Sequence, residues 1–273
     1  STNGFWWVSF LLLGYIGYLL GANYLALVQL QETARERFAL EVEQQSQSIG
    51  YYFSERIRDI TRLSERPELQ HYFANKALGM TLSYGLQASL NSIEYLFQSF
   101  QEKDQGYDIT YWTRIALVTT KGQVLVGNVE PKLLQNKEHT LFVQKTRILS
   151  VQQSEPKTVI ISSPVFFKGK HAGQVIAWCS IGDMLHKPDV LNSDSAQQCT
   201  VLIGSNQNLF LSGQKTCLSM ASLLNWAHEL GHKKNQVHVN HFADFYAVSV
   251  QIQNTPYSLL SVLPVKQVLG DTP

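Results

Sequence analysis

From Phe5 to Val28 the chain carries no charged residue, and this run limits what the rest can be. A helix rises ~1.5 Å per residue, so about 20 apolar residues cross the hydrocarbon core of a bilayer. The run therefore reads as one membrane-spanning helix over 5–28. Trp6 and Trp7 at its start and Tyr24 near its end suit the two interfaces, where amphipathic rings sit at headgroup level. A cleaved signal sequence would carry only ~7–15 apolar residues behind a basic start. A buried soluble helix is disfavoured by the polar helical stretch that follows directly. Ser1-Thr2-Asn3-Gly4 reads as a truncated flank. Arg35 and Arg37, just past the span, taken alone point away from an external domain.

Outside that run the composition is ordinary. Apolar residues make up 44% and charged residues 16%, and 22 Lys and Arg face 21 Asp and Glu for a formal charge of +1. The cations are scattered, and nucleic-acid binding needs a basic stripe or patch, so that class is excluded. The 273 residues leave room for one or two domains beyond the membrane segment.

Gln29 to Arg66 has a helical pattern, with Phe38, Val42, Ile49, Phe53, Ile57, Ile60 and Leu63 at near 3.5-residue spacing and no proline before Pro67. Its first turns read as a stalk that pairs with a second copy through a coiled-coil-like seam, giving a homodimer. The later turns, with Tyr51, Tyr52 and Phe53, carry enough aromatic surface to pack on a domain. Pro67 starts a short helix, and Leu82 to Gln101 predicts another amphipathic one.

The period then changes. Arg114–Thr120 and Gln123–Gly127 are β-branched runs separated by Lys121-Gly122, and Thr158–Val165 and Gly173–Ile181 are joined across Lys168-Gly169-Lys170. Four or more antiparallel strands fed by helices on one side predict an α+β domain over 67–187. After a polar linker at 188–198, residues 199–270 repeat the plan at smaller size. They read as a hairpin (Thr200 to Ser212), a helix (Leu218 to Leu230) and two strands, Val237 to Ile252 and Pro256 to Leu263. The last residues, 271–273, read as the start of a link to a second membrane helix.

Cysteines are few: Cys179, Cys199 and Cys217. The last two bracket the second hairpin, whose pairing brings its ends close, so either a Cys199–Cys217 disulfide in an oxidising compartment or two unlinked thiols fits. Cys179 reads as an apolar core residue.

One pattern suggests catalysis. His228-Glu229-Leu-Gly-His232 on a helix would put two imidazoles one turn apart with a carboxylate between them, and His238 falls where a third zinc ligand belongs. Against a protease stand Asn235 in place of the turning glycine, the absence of any methionine after Met220, and only 35 residues after His238. The histidines are read as inert surface and helix-end groups, with a non-catalytic metal site and a membrane-tethered zinc protease as alternatives. No phosphate loop, Cys-pair motif or nucleophile elbow is present, so no cofactor and no catalytic residue is expected. For a small-molecule pocket the candidates are Tyr111, Trp112, Arg114, Ser163, Trp178 and Ser180, because aromatic walls with a few polar groups make such sites. Trp178 also reads as core, and Arg114 as a solvated edge charge.

Four segments carry a family resemblance. Ile60-Thr-Arg-Leu-Ser-Glu-Arg-Pro-Glu-Leu69 looks like a stalk-helix end and its turn. Ile115-Ala-Leu-Val-Thr-Thr-Lys-Gly-Gln-Val-Leu125 and Ile161-Ser-Ser-Pro-Val-Phe-Phe-Lys-Gly-Lys-His-Ala-Gly-Gln-Val-Ile176 look like two successive hairpins. Asn254-Thr-Pro-Tyr-Ser-Leu-Leu-Ser-Val-Leu-Pro264 resembles closing strands. Over roughly 35–270 the chain resembles the double Cache family, the PAS-like extracytoplasmic sensor modules of bacterial histidine kinases, chemoreceptors and diguanylate cyclases. The resemblance implies two tandem modules and a ligand held in the membrane-distal one. It also implies a signal passed through membrane helices to an output domain, most often a histidine kinase in a two-component system. It places the chain in the bacterial inner membrane, with 29–273 periplasmic, and makes its partner either a small molecule or a periplasmic binding protein. Amino-acid-sensing members carry an Arg followed by a Trp-Tyr pair, and an Asp at the end of the last strand. Here no Trp-Tyr pair occurs in 129–155 and Ser180 stands at the Asp position, which disfavours a free amino acid bound in that way.

Overall fold

The computed structural model describes residues 2–103, 112–129, 143–152, 157–181, 198–204, 208–212, 238–242 and 245–264. Helix α1 runs unbroken from Thr2 to Ser64, 63 residues, or about 95 Å at 1.5 Å per residue. No proline interrupts it, and its glycines at 14, 17 and 21 lie in the apolar part with no atom near where a Cβ would sit. That part is bare: Trp6, Phe10, Leu11, Tyr18 and Leu20 are all exposed.

Further along, one stripe of α1 becomes buried at Phe38, Val42, Ile49, Phe53, Ile60 and Leu63. These fall at spacings of three, four and seven, one face of a helix. The stripe packs on the chain's own sheets and belongs to one core cluster with them. Over this stretch the helix packs on the chain's own domains, while Leu30 and Leu40 on the lower turns stay exposed. Tyr51 is exposed, and its neighbours Tyr52 and Phe53 pack inward. The helix stops where Arg66 turns extended (ψ 142°) ahead of Pro67, because a residue before proline is pushed out of the helical region.

Helix α2 spans Pro67–Ala77, opening with its proline at the first turn. The helix expected from Leu82 begins later. A π-type turn covers Leu82–Leu86, with Tyr84 and Gly85 outside helical angles and Gly85 at φ +88°, and α3 runs Gln87–Lys103. A glycine in the left-handed region breaks the register, so the amphipathic pattern alone placed the start five residues early.

Ten strands follow among the described residues: β1 Trp112–Thr119, β2 Val124–Gly127, β3 Arg147–Gln152, β4 Thr158–Phe167, β5 Lys170–Ser180, β6 Cys199–Ile203, β7 Asn208–Ser212, β8 His238–Phe242, β9 Phe245–Gln251 and β10 Ser258–Pro264. They form two five-stranded sheets with orders β2-β1-β5-β4-β3 and β7-β6-β10-β9-β8. All pairings are antiparallel. Adding five to each label of the first order gives the second, so the repeated plan read from element order is a repeated topology. Two sequence expectations need correction. Strand β3 lies in a stretch read only as mixed, and Val237–Ile252 is not one strand but the hairpin β8–β9, with Phe242 opposite Phe245. The connecting Ala243-Asp244 contains neither glycine nor proline, so no turn signal marked the reversal.

Turn chemistry fixes the hairpins. Lys168 (φ +49°) and Gly169 (φ +74°) are both left-handed, the arrangement that lets a two-residue loop match strand twist. Gly127 has φ +135°, and a Cβ there would meet the Ile115 carbonyl oxygen at 2.3 Å and the Ala116 Cα at 2.6 Å. Gly173 lies against the Val118 carbonyl oxygen at 2.6 Å and Phe73 at 3.0 Å by the same measure.

On one side of the first sheet Ile115, Leu117, Ile161, Val165, Val175 and Ala177 pack with the helices, and the same cluster continues through α1 into Leu202, Val248, Ile252, Tyr257 and Leu259 of the second module. On the other side Ala116, Val118, Val129, Ile160, Ile176 and Trp178 form a separate cluster.

Gly127→Ala is expected to cost about 2–3 kcal/mol in chemical denaturation, because the added carbon meets backbone on two sides. Gly169→Ala, with open space and only a left-handed φ to pay, should cost about 1 kcal/mol. Burial of Tyr257 raises its phenol to about 12 from 10.0. Its folded pKa lies above the unfolded one, so its contribution is intact below pH 10 and lost as pH rises to about 12. Relative to Tyr257→Phe, the wild-type protein should lose roughly 2–3 kcal/mol across that window in pH-dependent denaturation.

Candidate functional site

The outer face of the first sheet, away from the helices, is built by alternate residues of its strands. On the central strand β5 these are Gln174, Ile176, Trp178 and Ser180. By register Arg114 lies beside Trp178 on β1 and Ala116 beside Ile176, while β4 sets Thr158, Ile160 and Ser162 beside Ser180, Trp178 and Ile176. The face is therefore an apolar floor holding uncharged polar groups. Ser162 and Gln174 are 0% exposed, and Trp178, Thr158 and Ser180 are also buried. Its two arginines, Arg114 on β1 and Arg147 on β3, are exposed at the margins.

Two of the buried polar groups are incompletely bonded. The Gln174 side-chain nitrogen donates to the Val143 carbonyl at 3.3 Å, but its oxygen has no partner, and the Trp178 indole nitrogen has none either.

The candidates read from sequence do not all share this face. Arg114, Trp178 and Ser180 do. Trp112 lies on the helix side, opposite Cys179, because a β-bulge between Trp112 and Arg114 shifts the register. Residues two apart should share a face, and one extra residue sends them to opposite faces. There Trp112 packs on Phe100, ring centroids 5.8 Å apart, and under the Arg56 guanidinium. Ser163 also faces the helices, and Tyr111 lies outside the described residues. Gln174, Thr158 and Ser162 escaped the sequence reading, although the alternation Gln174-x-Ile-x-Trp-x-Ser180 carries the signal for the first.

Ser163 belongs instead to a ring of hydroxyls that ties the sheet to the end of α1. It donates to Ser64 at 2.8 Å, Ser64 donates to the Thr61 carbonyl at 2.7 Å, Thr61 reaches Thr146 at 2.9 Å, and Thr146 lies 2.8 Å from Ser163. Lower on α1 the Tyr52 hydroxyl donates to the Ser180 carbonyl at 2.8 Å and touches the Cys179 sulfur at 3.0 Å. Arg56 lies over the Tyr52 ring at 5.5 Å and pairs with Asp59 at 3.2 Å. The outer-face strand β5 is thus held to the long helix at its last residue. Gly50 approaches Ile252 at the β9–β10 turn, where a Cβ would sit 3.4 Å from it, so the same helix touches the second module just below.

His228 and His232 lie outside the described residues. His238 opens β8 and is paired with Ser249 of β9. Cys199 is disulfide-bonded, Cys179 keeps its thiol, and Cys217 lies outside the described residues.

No protein-family model matches the sequence, and no curated protein matches it. Solved structures do. The Campylobacter jejuni chemoreceptor Tlp3 sensory domain with isoleucine bound is 11% identical with a TM-score of 0.56, over 89% of this chain and 97% of that one. The ligand-binding domain of the Pseudomonas aeruginosa chemoreceptor PctB, in complex with L-Arg, is 11% identical with a TM-score of 0.53, over 86% and 97%. The extracellular domain of vpHK1S-Z8, described as a histidine kinase, is 11% identical with a TM-score of 0.55, over 88% and 95%. The chain has the fold of these sensor domains. It is the tandem PAS-like (Cache) architecture that the sequence resemblance implied.

A double-mutant cycle on Thr61→Ala and Ser163→Ala tests the hydroxyl ring. Each single change should cost about 1–2 kcal/mol in denaturation, and the pair should couple by at least about 0.5 kcal/mol, because both act through Thr146 and Ser64.

Proposed function

We propose that the chain is the extracytoplasmic ligand-sensing region of a bacterial transmembrane receptor, a sensor histidine kinase in a two-component system, and is not itself catalytic. The observation that carries this is the continuity of α1. One helix begins in an exposed apolar segment long enough to cross a bilayer, then forms the spine of both sheets and is hydrogen-bonded to the last residue of the strand at the centre of the outer face. A ligand on that face can bias β5, and β5 pulls on a rod that enters the membrane.

In this proposal residues 5–28 anchor the chain in the inner membrane and 29–273 lie in the periplasm. The distal module is 67–187 and the proximal one 199–270, and a Cys199–Cys217 bridge suits the oxidising compartment. The partner is a small molecule or a periplasmic binding protein, and the receptor acts as a homodimer. Tlp3 and PctB are crystallised with amino acids, which supports a small molecule as the first alternative. The required coupling is modest, since ~1–3 kcal/mol between two states shifts signalling by roughly 5–150-fold.

The test uses the full chain in its membrane. Protease added to spheroplasts should digest the region after residue 28, and protection of that region would overturn the orientation. In detergent, small molecules extracted from periplasm should raise the melting temperature of the chain, and Tyr52→Phe should leave that rise intact while weakening the link to α1. Zinc-dependent peptide hydrolysis abolished by His228→Ala would replace this reading with the protease one.

A further inference from the structure

Gln174 and Trp178 stand four residues apart on β5, on the same face, about 13 Å at the rise of a strand. Their side chains are 0% and 3% exposed. One leaves an acceptor unbonded and the other a donor, and a buried polar atom without a partner costs about 1–3 kcal/mol. Between them lies Ile176, flanked by Ala116 and Ser162.

Other buried atoms lack partners too. Trp112 Nε1 and Gln45 Oε1 are among them, but Trp112 lies in the core shared with α1 and α3, and Gln45 is on α1 itself. The cluster around Trp178 contains strand residues and Val129 and no helical residue. The unbonded pair on β5 is therefore the one on the face away from the helices.

The same face carries no buried ionised side chain among the described residues, since its buried polar members are Gln174, Trp178, Ser162, Thr158 and Ser180. No acidic side chain stands on β1–β5, so an ammonium brought onto this floor would lose its hydration without a counter-charge, which costs more than an uncharged amide or hydroxyl does, whereas Arg114 beside Trp178 and Arg147 beside Ser162 answer a carboxylate. Resting on the reading of this face as the sensing site, we propose that it takes an elongated ligand that carries no ammonium. A carbonyl or ether oxygen of that ligand accepts from Trp178 Nε1, and an N–H or O–H at its other end donates to Gln174 Oε1. Ile176 and Ala116 contact the apolar middle. The free α-amino acids bound by other proteins of this fold carry an ammonium that the floor does not answer.

The experiment compares matched probes on the full chain in detergent. One arm is a series of N-acetyl amino-acid amides and neutral oligosaccharides, and the other is the corresponding free amino acids. Members of the uncharged arm are expected to raise the melting temperature by roughly 5–10 °C at a hundred times Kd. Trp178→Phe and Gln174→Met should each weaken that binding at least tenfold, the loss of one buried hydrogen bond. Without ligand, Trp178→Phe should melt lower by only about 2–4 °C, the packing lost with the smaller ring, because the donor it removes is unbonded. A fall of more than about 4 °C in that variant would show the indole nitrogen to be structurally engaged and overturn the proposal. Stabilisation by free amino acids alone would overturn the ligand class and leave the sensor reading standing. No stabilisation in either arm, with periplasmic extract also inactive, would sink both.

Discussion

Both sheets of this protein depend on the buried stripe of α1. Phe38, Val42, Ile49, Phe53, Ile60 and Leu63 supply the apolar surface that covers one side of each sheet, and full burial of each such side chain contributes about 1.5–3 kcal/mol. Neither sheet closes its own core from its strands alone. A displacement of the helix along its axis must therefore be met by both modules, and a change of shape in either module is felt by the helix.

Apolar contacts tolerate sliding, so the fine position of the rod is set by the directional bonds. Two groups do this for the distal module: the hydroxyl ring at Thr61 and Ser64 and the Tyr52 bond to the Ser180 carbonyl. A hydrogen bond contributes about 0.5–1.5 kcal/mol net, and receptor coupling needs about 1–3 kcal/mol. One or two such bonds made in one arrangement and broken in another are of that size. A short bond that is either made or broken also gives two discrete arrangements, which packed interfaces require for switching.

Much of this architecture was legible from the sequence because it is written in periods. The uncharged run, the near 3.5-residue stripe of the stalk and the β-branched alternation each map onto an observed element, and the repeated element order became a repeated topology. What escaped notice involves single residues that interrupt a period. Gly85 delays α3, no glycine or proline stands between Phe242 and Phe245 to mark the β8–β9 hairpin, and the bulge after Trp112 puts two site candidates on opposite faces. The hydroxyl ring escaped for a different reason. Thr61, Ser64, Thr146 and Ser163 come from three places in the chain and are common residues, so only tertiary packing gives them meaning.

Buried polar groups on the helix side of both sheets are bonded. In the distal sheet Ser163 belongs to the hydroxyl ring at the end of α1. In the proximal sheet Thr200 and Ser261 stand directly opposite each other on β6 and β10, and Gln198 donates to Ser261 at 2.8 Å. Ser261 alternates with Leu259, a member of the core that includes α1, so this polar group faces the helix and is bonded. A satisfied polar group inside a helix–sheet interface fixes register, whereas an unsatisfied one on an outer face is a cost that binding can relieve. Both sheets thus hold the rod in a set position, and the unbonded Gln174 and Trp178 atoms lie on the outer face of the distal one.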